Sequence, residues 1–119
     1  MSMAALGRHL LWDFYDCDAQ ILNDPAQLET ALRRAATAAG ANVLAASFHC
    51  FSPQGITGVL TLRESHLAIH TWPEHHFAAV DLFSCGLIDP QRAHPLLKAA
   101  LRAEHSTAHE HSRGGALRE

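Results

Sequence analysis

Ser65 directly follows Glu64, an imidazole stands five residues later at His70, and a thiol stands fifteen residues beyond that at Cys85. A serine hydroxyl is a weak nucleophile unless geometry and a neighbouring acid or base assist it. With that help Ser65 can attack the carbonyl carbon of Glu64, shifting the acyl group from nitrogen to oxygen and converting the peptide bond into an ester. β-Elimination of the ester releases a chain ending at Glu64 and leaves dehydroalanine at position 65, which hydrolyses to a pyruvoyl group with loss of ammonia. An imidazole suits the proton transfer of the elimination because its ordinary pKa lies near neutrality. A thiol can give and regain a proton in a partly apolar pocket.

Taken one at a time, these residues also have ordinary roles: a turn serine, a hydrogen-bonded sheet histidine, a thiol that fills a core. Two further chemistries compete. Ten histidines are many for this length, and His66/His70 and His109/His111 are close in sequence. Zinc requires three or four convergent ligands, and no His-Glu-x-x-His pattern is present, so no metal is expected. Ser65, His70 and Asp81 have the residue types of a hydrolase triad, but there is no Gly-x-Ser-x-Gly elbow.

The elements that must position these groups are readable from periodicity. Leu10, Trp12 and Phe14 alternate with Asp13 and Tyr15 as in a half-buried strand. Asn23-Asp24-Pro25 starts a helix with Asp24 as cap and Gln27 at capping-box spacing, running through Leu28, Leu32 and Ala35 to a stop at Gly40. Residues 43–51 and 55–62 are β-like runs around a Ser-Pro-Gln-Gly turn. Residues 65–72 and 77–85 form a second pair around Pro73-Glu74-His75-His76. Along the third run His66, Ala68 and His70 share one face and Leu67, Ile69 and Thr71 the other, so Ser65 and His70 do not simply share a surface. Asp89-Pro90 starts a second helix whose stripe is Ala93, Leu96, Leu97, Ala100 and Leu101, with Pro95 expected to shorten or bend it. A short strand near 106–111 follows, and 112–119 read as frayed. The expected fold class is α+β, a two-layer sandwich with an antiparallel sheet and two helices on one face.

At 119 residues the chain is expected to be a single domain, 1–119, small enough that an active site would need a second copy. Apolar residues make up 48% and charged residues 18%, an ordinary globular composition. A formal charge of -3 and the lack of any Lys/Arg run argue against a nucleic-acid partner. No apolar run approaches the roughly 20 residues of a membrane span, and the first residues do not resemble a secretion leader, so a cytoplasmic setting is expected. Cys17, Cys50 and Cys85 are odd in number and far apart, consistent with free thiols.

Glu64-Ser65-His66, Ile69-His70-Thr71-Trp72-Pro73-Glu74 and Ala79-Val80-Asp81-Leu82-Phe83-Ser84-Cys85-Gly86 together resemble the prokaryotic S-adenosylmethionine decarboxylase proenzymes, over Leu6 to Gly114. The resemblance implies a self-processing pyruvoyl enzyme of polyamine (spermidine) synthesis, cut into a β chain of residues 1–64 and an α chain of residues 65–119. Ser65 would become the pyruvoyl group that forms a Schiff base with the substrate, the electron-sink role pyridoxal phosphate has elsewhere. His70 would assist processing. Thr57, where the family usually has serine, would support it, and Cys85 would return a proton to the substrate α-carbon. Phe51, His70 and Glu74 would hold the nucleoside, by ring stacking and by carboxylate contacts to ribose hydroxyls. A homodimer or higher oligomer of β/α pairs is implied. Cys50 and His75-His76-Phe77 depart from the pattern beside the implied pocket, which keeps ornithine or arginine open as alternative substrates. An uncleaved, non-catalytic partner subunit is a further reading.

Overall fold

The computed structural model describes residues 6–86 and 88–115. Its strands are β1 (Gly7–Tyr15), β2 (Val43–Cys50), β3 (Ile56–Leu62), β4 (Ser65–Trp72), β5 (Phe77–Ser84) and β6 (His105–Arg113). The helices are α1 (Ala19–Leu22), α2 (Pro25–Ala38) and α3 (Pro90–Leu101), with a 3-10 turn at Pro73–His75. The six strands form one sheet in the order β2-β3-β4-β5-β1-β6, and every neighbouring pair is antiparallel.

Strand alternation divides the sheet into two chemically different faces. Leu10, Trp12, Phe14, Leu60, Leu67, Ile69, Val80 and Leu82 point inward and are buried against Leu28, Leu32 and Ala35 of α2 and Ala93, Leu97 and Leu101 of α3. The register pairs Leu60 with Leu67, Leu67 with Leu82 and Leu82 with Leu10, so one apolar row crosses four strands. Burying a side chain of this size contributes about 1.5–3 kcal/mol. The opposite face carries Thr57 and Thr61, His66 and His70, Asp81 and Phe83, and His9 and Asp13, and no helix among the described residues covers it. The expected α+β two-layer sandwich is the fold observed.

The Asp-Pro starts behave as their chemistry dictates. Asp24 Oδ1 accepts from the amides of Ala26 and Gln27, while the Gln27 side chain donates to the Asp24 carboxylate at 2.8 Å, not to the cap backbone as in a capping box. Gly40, at φ 90°, ends α2. Its amide donates to Thr37 and that of Ala41 to Ala36, the paired bonds of a left-handed helix stop.

Three expectations are corrected and one unexpected element is added. Pro95 lies inside α3 without shortening it, since the helix continues to Leu101. Leu96 is 44% exposed and lies off the buried stripe, which consists of Ala93, Leu97 and Leu101. Ser112 and Arg113 are not frayed: β1 extends back to Gly7 and pairs with them, and Arg8 clamps Glu110 through two hydrogen bonds of 2.7 and 2.9 Å. The short helix α1, capped by Asp18, has too few residues to show a periodic stripe. Of the expected frayed tail, 116–119 lie outside the described residues.

Candidate active site

The Glu64–Ser65 bond lies at the tip of the tightest turn in the sheet. Leu62 pairs with Ser65, leaving only Arg63 and Glu64 to reverse the chain. Glu64 sits at φ 62°, in the left-handed region where a residue with a Cβ costs about 1–2 kcal/mol. The Arg63 amide is pinned by the Asn42 carbonyl at 3.0 Å, and the Ser65 hydroxyl turns back to donate to the Arg63 carbonyl at 3.2 Å. The Ser65 hydroxyl is therefore engaged by the peptide that precedes the Glu64–Ser65 bond.

Cys85 is exposed immediately after β5 and shares a cavity of about 290 Å³ with Arg63, Glu64, Ser65 and Gly86. The register explains the meeting: β4 begins where antiparallel β5 ends, with His66 opposite Phe83. The three thiols are thereby distinguished. Cys17 is buried, and burial followed by the Asp16 charge pushes its pKa up to about 11, so it is an inert core group. Cys50 is exposed at the far edge of the sheet. Beside Cys85, the Ser84 hydroxyl is buried with no hydrogen-bond partner, a position sequence reading passes over because a strand-end serine is expected to be solvated.

His70, Thr57, Phe51 and Glu74 gather at the other end of β4. Thr57 pairs with His70 across β3 and β4, and Thr57 Oγ1 and His70 Nδ1 share a hydrogen bond of 3.0 Å. Phe51, 52% exposed, Thr57, His70 and Glu74 line a second cavity of about 230 Å³ together with Trp72. Its rim is fastened from below: the Gly55 amide donates to Asn23 Oδ1, and the Thr71 hydroxyl donates to the Leu22 carbonyl. His76, one of the departures from the family pattern, occupies a left-handed position at φ 51° and bonds the Cys17 carbonyl through Nδ1 at 3.0 Å. It acts as a turn residue, and glycine would relieve the same backbone.

Five residues of strand, about 16 Å, separate Ser65 from His70. Among the described residues the candidate groups thus form two clusters, Glu64/Ser65/Cys85 and Phe51/Thr57/His70/Glu74, which line separate cavities. The hydrolase reading fails on the same geometry, because Asp81 bonds His9 and His66 and not His70. A larger cleft of about 770 Å³ between α2 and α3 contains none of the candidate residues.

His9, His66 and Asp81 form a third group on the open sheet face that no local pattern reveals. His9 and His66 flank Phe83 on either side of β5, and both lean diagonally to Asp81, whose Oδ2 accepts from His66 Nε2 at 2.7 Å and His9 Nε2 at 2.9 Å. Only the pairing register brings them together. Among the described residues they are one set of three convergent groups able to ligate a metal.

The fold and these clusters define a two-layer α+β protein with a serine in a strained hairpin turn and a thiol beside it. The family model of S-adenosylmethionine decarboxylase matches residues 8–114, and this chain belongs to that family. The S-adenosylmethionine decarboxylase proenzyme of Acetivibrio thermocellus is 50% identical over 113 residues, 94% of this chain and 91% of that protein. The proenzyme of Thermotoga petrophila is 46% identical over 113 residues, 94% of this chain and 87% of that protein. Among solved structures, the adenosylmethionine decarboxylase of Aquifex aeolicus matches with a TM-score of 0.84 and 34% identity, over 94% of this chain and 93% of that one. A Trypanosoma brucei AdoMetDC monomer shares the fold with a TM-score of 0.63 and 15% identity, and this chain covers 44% of it.

Proposed function

We propose that this chain is a self-cleaving decarboxylase of S-adenosylmethionine, cut between Glu64 and Ser65 into a β chain of residues 1–64 and an α chain of residues 65–119. The observation that carries the reading is the shared cavity of Ser65 and Cys85 behind a turn strained at Glu64. A pyruvoyl group fits there, since the residue that would become it lines the same cavity as the thiol that would serve it. That group would supply the electron sink for loss of carbon dioxide.

The remaining work falls to this chain's own side chains. Ser65 Oγ attacks the Glu64 carbonyl, and left-handed strain at Glu64 raises the ground state of the bond being broken. His70, oriented by Thr57, accepts the proton lost in elimination. Cys85 delivers a proton to the substrate α-carbon. Phe51 and His70 offer ring faces to a purine, and Glu74 offers two acceptor oxygens to ribose hydroxyls. Exposed Phe51 and Trp72 favour a nucleoside over ornithine or arginine, which present no aromatic surface. The product would donate aminopropyl groups in spermidine synthesis. Three free thiols accord with a cytosolic setting, and no helix among the described residues is long and apolar enough to cross a membrane. Carbon dioxide release from carboxyl-labelled S-adenosylmethionine, ornithine and arginine tests the substrate. Release from S-adenosylmethionine alone is expected, and preferential release from either amino acid would overturn this reading.

A second copy of the chain would complete each site. The two clusters lie about 16 Å apart along one strand, and cavities of about 290 and 230 Å³ fall below the roughly 300–1,000 Å³ of ordinary ligand clefts. An uncovered sheet face is available for the pairing. Ser65→Ala and His70→Ala chains should each be inactive alone. Co-expressed, they should regain about a quarter of wild-type activity, because half the pairs are mixed and each mixed pair has one intact site. No recovery in verified mixed pairs would place the site within a single chain.

A further inference from the structure

We propose that Asp81, through His66 and His9, is the positioning residue that holds position 65 against the Cys85 thiol once the chain has been cut. The proposal rests on the pyruvoyl reading above and adds residues to it. In the uncut chain, position 65 is fixed by the turn: Leu62 pairs with Ser65, and the Ser65 hydroxyl bonds the Arg63 carbonyl. Cleavage removes the covalent tie and that hydroxyl together, so the start of β4 becomes a chain terminus, the kind of segment that frays unless something fastens it.

The nearest fastening is one residue away. His66 Nε2 donates to Asp81 Oδ2 at 2.7 Å, its ring stacks on Phe83 at 6.1 Å between centroids, and His9 donates to the same oxygen from the far side at 2.9 Å. Asp81 and Phe83 lie on β5, the strand that leads directly into Cys85. The clamp thus joins residue 66 to the strand carrying the proton donor, and a carboxylate held from two sides has little freedom to move. A carboxylate only accepts hydrogen bonds, so both imidazole Nε2 atoms carry their proton toward it. Arg113 approaches the other nitrogen of His9 at 3.5 Å and favours that tautomer.

The test reads the fate of residue 65, which a merely structural role would not alter. If position 65 drifts from Cys85, the proton reaches the carbon of residue 65 instead of the substrate α-carbon. Hydrolysis then leaves alanine at position 65 and an aldehyde in place of the substrate amine, with the carbonyl reduced and the amine carbon oxidised in balance. Wild type, Asp81→Ala and Asp81→Asn proteins are turned over with S-adenosylmethionine, and the mass of the 65–119 fragment is followed per turnover. Asp81→Ala should raise the alanine-terminated share about 10-fold or more with KM changed less than about 3-fold, and Asp81→Asn, which keeps an acceptor oxygen, should recover most of the loss. An alanine share equal to wild type in Asp81→Ala would overturn the clamp. If that variant does not accumulate folded and cut, His66→Ala is scored by the same two outcomes. A wild-type protein that forms no 65–119 fragment would instead sink the pyruvoyl reading itself.

Discussion

Ser65→Ala should yield a single uncut chain that releases no detectable carbon dioxide from S-adenosylmethionine. Alanine removes the one oxygen able to attack the Glu64 carbonyl, so neither ester nor elimination follows, and the electron sink never forms. The fold should be indifferent. Ser65 is half-buried at the start of a strand, its hydroxyl makes one 3.2 Å bond to a turn carbonyl, and such surface changes usually stay within about 0.5 kcal/mol. Denaturing intact-mass measurement beside a thermal melt separates the two effects: one mass, an unchanged melt and no turnover are expected. Decarboxylation by this variant at the wild-type rate would end the proposed mechanism.

Cys85→Ala should separate processing from turnover. The thiol is exposed just beyond β5, so its loss leaves no cavity in the core, and the turn geometry that would drive cleavage is untouched. Fragments of residues 1–64 and 65–119 should therefore still appear. Turnover should fall by between about 100- and 10,000-fold, the range for a lost proton donor. The result that would count against the assignment is a variant that cleaves and turns over normally, since Cys17, buried and with its pKa pushed up, could not take over.

What could be read from the chain and what could not divides along a physical line. Strand and helix starts were legible because they depend on neighbours in sequence: Asp24-Pro25 and Asp89-Pro90 cap locally, and period-two alternation marks the faces of β1, β3, β4 and β5. The mismatch between Ser65 and His70 was legible from the same alternation. Their placement in two separate cavities was not, because it depends on where Phe51 and Glu74 return to the sheet from loops. His9, 72 residues from Asp81, meets it only through strand pairing, and nothing near either residue encodes that. Ser112 and Arg113 looked like a polar tail until β1 was seen to extend far enough to pair with them. Leu96 is apolar yet exposed, because a helix on a two-layer fold keeps one side in water and apolar character alone does not set burial.

The strand order fixes when cutting can happen. With the bond at Glu64 broken, residues 1–64 would hold β1, β2 and β3, and residues 65–119 would hold β4, β5 and β6, yet β1 lies between β5 and β6. The two pieces would be interleaved, and neither could finish a sheet by itself. Assembly would therefore have to come first, with the finished sheet acting as the template that presents its own bond for scission. Before the cut, a denatured chain can find its way back alone; afterwards two separate pieces must meet in solution. Maturation would thus exchange refoldability for chemistry, an exchange the molecule could make once.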